Sequence, residues 1–147
     1  MNKKTWIISF IKLTLFINVM IAIIGAGPSG SYLASMLSKA GKDVSLVEEH
    51  PEVGHPIQCT GILSSSSDSL NIKIPEKLVV NKIKRVELIS PNNNSKTFKL
   101  NEPDLILDRR EFDKFLSDKA VENGAKLLLQ NRFVGYEENK LSLRNKV

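Results

Sequence analysis

The sequence predicts an α/β fold built on a Rossmann-like βαβ unit with an antiparallel hairpin inserted after it, and three observations carry that prediction. A short unbroken apolar run, IAII at residues 21–24, ends in the glycine-rich turn GAGPSG. A stretch of helical periodicity follows, and a second apolar run, DVSLVEE at 43–49, closes the unit on acids. Further along, IKRVELI and KTFKL flank SPNNNS, two strand-forming runs about a turn.

Each element has a local cause. IAII is continuously apolar, as a parallel strand covered on both faces requires. Leu33, Met36, Leu37 and Ala40 then recur at helical spacing and predict the apolar face of a helix, with Gly41 placed where a helix end favours a left-handed residue. Residues 51–81 carry Pro51, Gly54, Pro56, Gly61, a serine-rich run and Pro75, so they predict a long loop with at most a short helix. The hairpin comes next, then a separate short strand LIL at 105–107. Asp108 is placed to cap a helix whose apolar face is Phe112, Phe115, Leu116 and Ala120, closed by Asn123 and Gly124. AKLLLQ predicts another strand, and RFVGYEENKLSLRNKV the beginning of a further hairpin.

Composition bounds what such a fold can do. A chain of 147 residues with 41% hydrophobic and 25% charged content can bury one ordinary core. Three of its five net positive charges fall on Lys3, Lys4 and Lys12, in a segment without acids. Beyond it the lysines are interspersed with acids and no aromatic-basic pattern accompanies them, so no nucleic-acid partner is expected. The single cysteine, Cys59, excludes an intramolecular disulfide and suits a reducing cytoplasm. Asn93-Asn94-Ser95 matches a glycosylation acceptor but reads as a turn.

Residues 1–19 form a segment apart from a folded unit over 20–147. Their positive start and apolar run, broken by Lys12, have the charge order of a secretory signal, yet no small-x-small cleavage site follows. A membrane-surface anchor using Trp6 and Phe10, a signal-like segment, and an upstream extension of the coding sequence with no structural role all fit. The last is preferred, with Met20 as the natural start.

The chemistry lies in the first turn. Gly25, Gly27 and Gly30 make G-x-G-x-x-G between a strand and a helix, and Glu48 ends the next strand eighteen residues after the third glycine. The first glycine permits the tight turn, the second lets a pyrophosphate reach the backbone, and the third lets helix pack on strand. Free N–H groups and the helix dipole hold the phosphate charge, and Glu48 can accept hydrogen bonds from ribose hydroxyls. An acid there would repel a 2′-phosphate, which favours FAD or NAD over NADP. His50, His55 and Cys59 lack a fourth ligand at sensible spacing, so no metal is expected.

Three stretches, GAGPSG, EVGHPIQCTG and LDRREFDKFLSDKAVENGA, together resemble the N-terminal part of the geranylgeranyl reductase family, flavoproteins that saturate prenyl chains of membrane lipids and chlorophyll precursors. The resemblance covers most of residues 20–135 and implies an FAD-binding domain. It implies FAD contacts at Ser29 beside the pyrophosphate, Glu48 at the ribose and Arg109 at the phosphates. Cys59, Thr60 and Ile62 would lie along the flavin, and Phe133 would touch the adenine through its backbone. A guanidinium suits phosphate oxygens because it supplies paired donors. Cys59 beside the flavin could act as the catalytic proton donor.

Thr60 and Glu49 depart from the family pattern, which often has a small or acidic residue after the cysteine and a basic one after the ribose acid. The family's second glycine-aspartate motif and substrate domain do not occur before Val147, so the chain reads as an incomplete flavoprotein domain. Its expected partners are a prenyl-lipid substrate, a membrane surface and a complementary C-terminal chain, in a cytoplasmic or peripheral membrane setting. Another FAD-dependent oxidoreductase or monooxygenase-like protein, or a non-catalytic nucleotide-binding fragment, is the alternative.

Overall fold

A computed structural model describes residues 20–64, 72–138 and 140–145. The leading segment and most of the serine-rich run lie outside the described residues.

The apolar run forms strand β1 (Ile21–Ile24), the periodic stretch helix α1 (Pro28–Lys39), and the second apolar run β2 (Val44–Val47). Strand β6 (Lys126–Leu128) joins them in a parallel sheet of order β1-β2-β6. Helix α2 (Arg109–Glu122) packs beside α1, and both helices contact this sheet. Ile23, Val44 and Leu46 meet Ala34, Ala120 and Ala125 in the core between them. All four β2 residues are buried, as the unbroken apolar pattern requires of a central parallel strand.

Helix α1 buries a different face from the one its large residues predict. Ser31, Ala34 and Ser38 are buried, while Leu33 and Met36 stand 47% and 53% exposed. Of the predicted face, Leu37 packs partly against the core, and Ala40 is the exposed C-cap residue. The reason is the closeness of α2. Small side chains at i, i+3 and i+7 let the two helices approach, and Asn123 Nδ2 donates to Ser35 Oγ at 2.8 Å across the contact. Gly41 takes φ of +76° just after the helix, as expected.

The hairpin forms from β4 (Val79–Ile89) and β5 (Ser95–Leu107). Strand β5 absorbs both KTFKL and LIL in one run of 13 residues, where the sequence suggested two strands. Pro103, which has no N–H to give a ladder, sits where the pairing slips from Ile83–Asp104 to Arg85–Lys99, so the chain bulges rather than breaks. The long loop is shorter than its punctuation predicts. It contains β3 (Ile62–Leu63), paired with the end of β5, and a 3-10 turn at Glu76–Leu78, after which β4 begins directly. Leu78, Leu107, Phe112 and Leu116 make a second core where this sheet meets α2. Asp108 caps α2 as predicted, accepting from the Glu111 N–H at 3.2 Å. The last hairpin is β7 (Asn131–Glu137) with β8 (Lys140–Asn145).

Candidate functional site

The turn after β1 is held by its backbone. Gly25 takes φ of +95°, and its N–H donates to Val47 O at 2.7 Å, tying the turn to β2. A Cβ at Gly30 would collide with Gly25 O, so only glycine lets α1 start this close beneath the turn. Gly27 differs: a Cβ there meets nothing within 4 Å, so its open side is approachable from solvent. It is the N-cap of α1, with Pro28 following, no side-chain cap and no acid in the first turn. Among the described residues, the first-turn N–H groups thus have no capping side chain competing for them.

Glu48 locks this turn to the end of β2. The Ala26 N–H donates to Oε2 at 2.9 Å and the His50 N–H to Oε1 at 3.0 Å, while His50 Nδ1 lies 2.6 Å from Oε1. Burial raises the carboxyl pKa, but the two amides and the His50 ring outweigh it, leaving Glu48 below its ordinary value. A depressed carboxylate stabilises the fold fully above its unfolded pKa, and that contribution is lost as pH falls through the lower folded value. Glu48→Gln is therefore expected to lose about 1–3 kcal/mol at neutral pH, from charge-assisted bonds replaced by a mismatched amide. In urea titrations across pH, its deficit against the parent chain should shrink in acid; a constant deficit would contradict the assignment.

Arg109 opens α2 next to this turn. Its Nε and Nη2 donate to Oδ1 and Oδ2 of Asp113, both at 3.0 Å, and this pairing raises the guanidinium pKa against an opposing effect of burial. Asp113 is buried and fixes the orientation of Arg109 through this paired contact, and Cys59 also hydrogen-bonds the guanidinium. Cys59 is exposed beside it. The Gly61 N–H lowers the thiol pKa most, burial opposes it, and the positive charge of Arg109 lowers it further. Gly61, at φ of +79°, makes the approach possible: a Cβ there would collide with Leu107 O and come within 3.0 Å of Arg109 Cγ.

A cleft of about 600 Å³ opens between the glycine turn, the end of β2, the loop at 54–58, the start of α2 and β7. Gly25, Gly27, Glu48, Arg109 and Phe133 all line it. Ser29 and Gly30 lie in the first turn of α1 behind that lining, Ser29 exposed and Gly30 packed against Gly25. Cys59 and Thr60 sit on the exposed loop that leaves the cleft, and Ile62 lies in β3, 54% exposed. His50, Asn131 and Arg132 also line the cleft and were not anticipated. They arrive through nonlocal pairing: the Asn131 N–H donates to Glu48 O at 2.9 Å and the Gln130 N–H to His50 O at 3.1 Å. Among the described residues no cluster of His, Cys, Asp or Glu could hold a metal ion.

Comparison with known proteins agrees with this arrangement. Residues 23–60 match the family described as an NAD(P)-binding Rossmann-like domain. The chain is 33% identical over 129 residues to a protein from the nifH2 5′ region of Methanosarcina barkeri, covering 80% of this chain and 68% of that one. It is 35% identical over 116 residues to digeranylgeranylglycerophospholipid reductase 2 of Methanosphaera stadtmanae, covering 75% of this chain and 30% of the reductase. The chain thus spans about 30% of the length of that reductase. A geranylgeranyl bacteriochlorophyll reductase-like structure from Thermoplasma acidophilum superposes with a TM-score of 0.73 at 25% identity, over 86% of this chain and 36% of that one. The halogenase PltM, solved with FAD, shares the fold at a TM-score of 0.64 and 16% identity. With a parallel βαβ unit, its glycine turn and this set of relatives, the chain belongs to the geranylgeranyl reductase family and corresponds to the N-terminal portion of its longer members.

Proposed function

We propose that residues 20–147 are the FAD-binding N-terminal part of an oxidoreductase that saturates C=C bonds in geranylgeranyl chains of membrane lipids. One observation carries the reading: Glu48, the open face of Gly27 and the Asp113-oriented Arg109 converge on a single cleft at the C-terminal ends of two parallel strands. That is where open α/β sheets bind dinucleotides. The fit to FAD rests on the uncapped first turn of α1, which accepts a pyrophosphate, and on an acid rather than a base at the end of β2.

Bound in reduced form, FAD supplies hydride to an isolated C=C bond. The protein's part is to hold and orient. First-turn amides around Gly27, Ser29 and Gly30 grip the pyrophosphate. Glu48, already fixed by Ala26 and His50, would accept the adenosine ribose hydroxyls, and the Arg109 guanidinium would donate to phosphate oxygens. Phe133, which lines the cleft, would touch the adenine through its backbone, and Cys59, Thr60 and Ile62, on the loop leaving the cleft and on β3, would lie along the flavin. Cys59 holds the proton that completes addition to the alkene, its thiol made a readier donor by the Gly61 amide and Arg109. The prenyl-lipid substrate would be bound by parts of the enzyme outside this region, at a membrane surface. Among the described residues no helix is long and apolar enough to cross a membrane.

Titrating the purified chain with FAD and with ADP tests the cleft. Saturable binding of both is expected, and binding of neither would overturn the reading. Assembled with the rest of a reductase, Cys59→Ala should lower the rate of alkene reduction while leaving FAD affinity unchanged; an undiminished rate would remove Cys59 from the mechanism.

A further inference from the structure

A second cavity lies away from the glycine turn. It opens between the later turns of α1, helix α2 and the pair Ile72-Lys73, and holds about 480 Å³, enough for part of a small amphiphile. Met36, Ile72 and Leu116 supply its apolar lining, with Leu116 buried at the base and Met36 53% exposed. Lys39, Lys73 and Lys119 line it too, all three exposed, and no acid does. Other exposed cations of the chain have carboxylate partners: Arg110 pairs with Glu52 at 2.7 Å and Lys126 with Asp43 at 3.2 Å. None of the three groove lysines forms an ion pair with another described residue. Lys119 Nζ lies 5.1 Å from the centroid of the Phe115 ring, which steadies the ammonium without neutralising it. Helix α1 carries no acid at all, and Asp118 of α2 lines a separate hollow with Lys77 and Lys114. Uncompensated lysines around one apolar recess concentrate positive potential there.

We infer that this groove between α1 and α2 is where the protein rests on an anionic bilayer, its three ammonium groups on lipid phosphates and Met36 and Ile72 against the upper part of one lipid chain. Charge complementarity selects the occupant. A phospholipid carries an anion and a hydrocarbon side by side in one molecule, which matches a lysine rim around an apolar recess. A free phosphate would leave the apolar lining uncovered. An acidic peptide would bring backbone N–H and C=O groups that need partners, and the walls here are helices, whose own backbone groups are paired internally. A second copy of the chain is opposed by charge, because a two-fold axis would set the three lysines of one groove against the same three of the other. The contact is also separate from the dinucleotide cleft. Lys39 ends α1 and Gly27 caps its start, about 18 Å apart along the helix axis, so the inference does not rest on the proposed function.

Sedimentation of the full chain with vesicles measures the contact, using phosphatidylglycerol and phosphatidylcholine in a one-to-two mixture against phosphatidylcholine alone. Binding is expected to the mixed vesicles only, and it should weaken as salt rises from about 0.05 to 0.3 M. Lys39→Gln, Lys73→Gln and Lys119→Gln should each lower the partition coefficient about fivefold, and the triple variant about a hundredfold. Glutamine matches lysine in helix propensity, so circular dichroism and FAD affinity should stay those of the parent. Residues 1–19 are common to every variant, so the difference between chains reports the groove. A second measurement is independent of the variants: on mixed vesicles, acetylation of Lys39, Lys73 and Lys119 should slow relative to that of the exposed Lys82 on β4. A folded triple variant that sediments like its parent would overturn the inference, as would equal binding to phosphatidylcholine alone or unslowed acetylation of the three lysines. Release from the vesicles by inorganic phosphate, but not by chloride at the same ionic strength, would make the groove a site for the free anion and overturn the bilayer assignment equally.

Discussion

Gly27→Val is expected to leave a folded chain that no longer binds FAD or ADP. The backbone at Gly27 has φ of −66° and ψ of 179°, an extended conformation open to any residue, and its missing Cβ would touch nothing. The substitution therefore strains no protein contact. Valine is a poorer N-cap than glycine, so a loss of up to about 1 kcal/mol is expected, visible as a thermal midpoint lower by a few degrees. Binding should suffer far more. The branched side chain would occupy the approach to the first-turn amides, so a diphosphate could no longer reach them, and affinity should fall at least about a hundredfold, roughly 2.7 kcal/mol. Fluorescence titration with FAD measures the loss. Unchanged affinity in a folded Gly27→Val chain would move the nucleotide away from the glycine turn and remove the basis of the proposed cleft.

The features legible in the sequence are those with local causes. The glycine turn, the acid after β2 and the Asp108 cap each follow from the conformational needs of a few adjacent residues, and all were found where the pattern put them. Hydrophobicity at helical spacing marks Leu33 and Met36, whereas α1 buries the small residues Ser31, Ala34 and Ser38, with Ala34 packed in one core with Ala120 of α2. Small residues at helical spacing could have signalled a close helix contact. Strand β5 runs through Pro103 because a bulge absorbs the missing donor, which depends on a partner strand that no local window contains. The same holds for the cleft. Glu48 was readable from its distance to the glycines, whereas Asn131 and Arg132 enter only because β7 starts against the end of β2. His50 stands two residues beyond Glu48, but nothing in the chain itself says that its ring turns back onto that carboxylate.

Gly30→Ala should have the opposite signature to Gly27→Val, damaging the fold first and binding as a consequence. The added carbon would overlap Gly25 O and sit 3.3 Å from Gly25 C and 3.4 Å from Ile23 Cγ2. The principal obstacle is a backbone carbonyl, which cannot rotate away as the end of a long side chain can. Gly25 is held in turn by its left-handed φ and its bond to Val47 O, so relief requires lifting the start of α1 off the turn. Alanine is the better helix former by about 1 kcal/mol, and overpacking of this kind costs about 1–3 kcal/mol or more, so the clash must outweigh the propensity gain for any loss to appear. Because the overlap falls on backbone at very short range, the net change is expected to be destabilising by about 2 kcal/mol, lowering the thermal midpoint by roughly 4–8 °C. The Ala26 N–H would shift with the turn, weakening its bond to Glu48, so FAD affinity should fall along with stability. A Gly30→Ala chain as stable as its parent would mean that helix and turn are not in the contact described, and the phosphate cradle built on that contact would have to be abandoned.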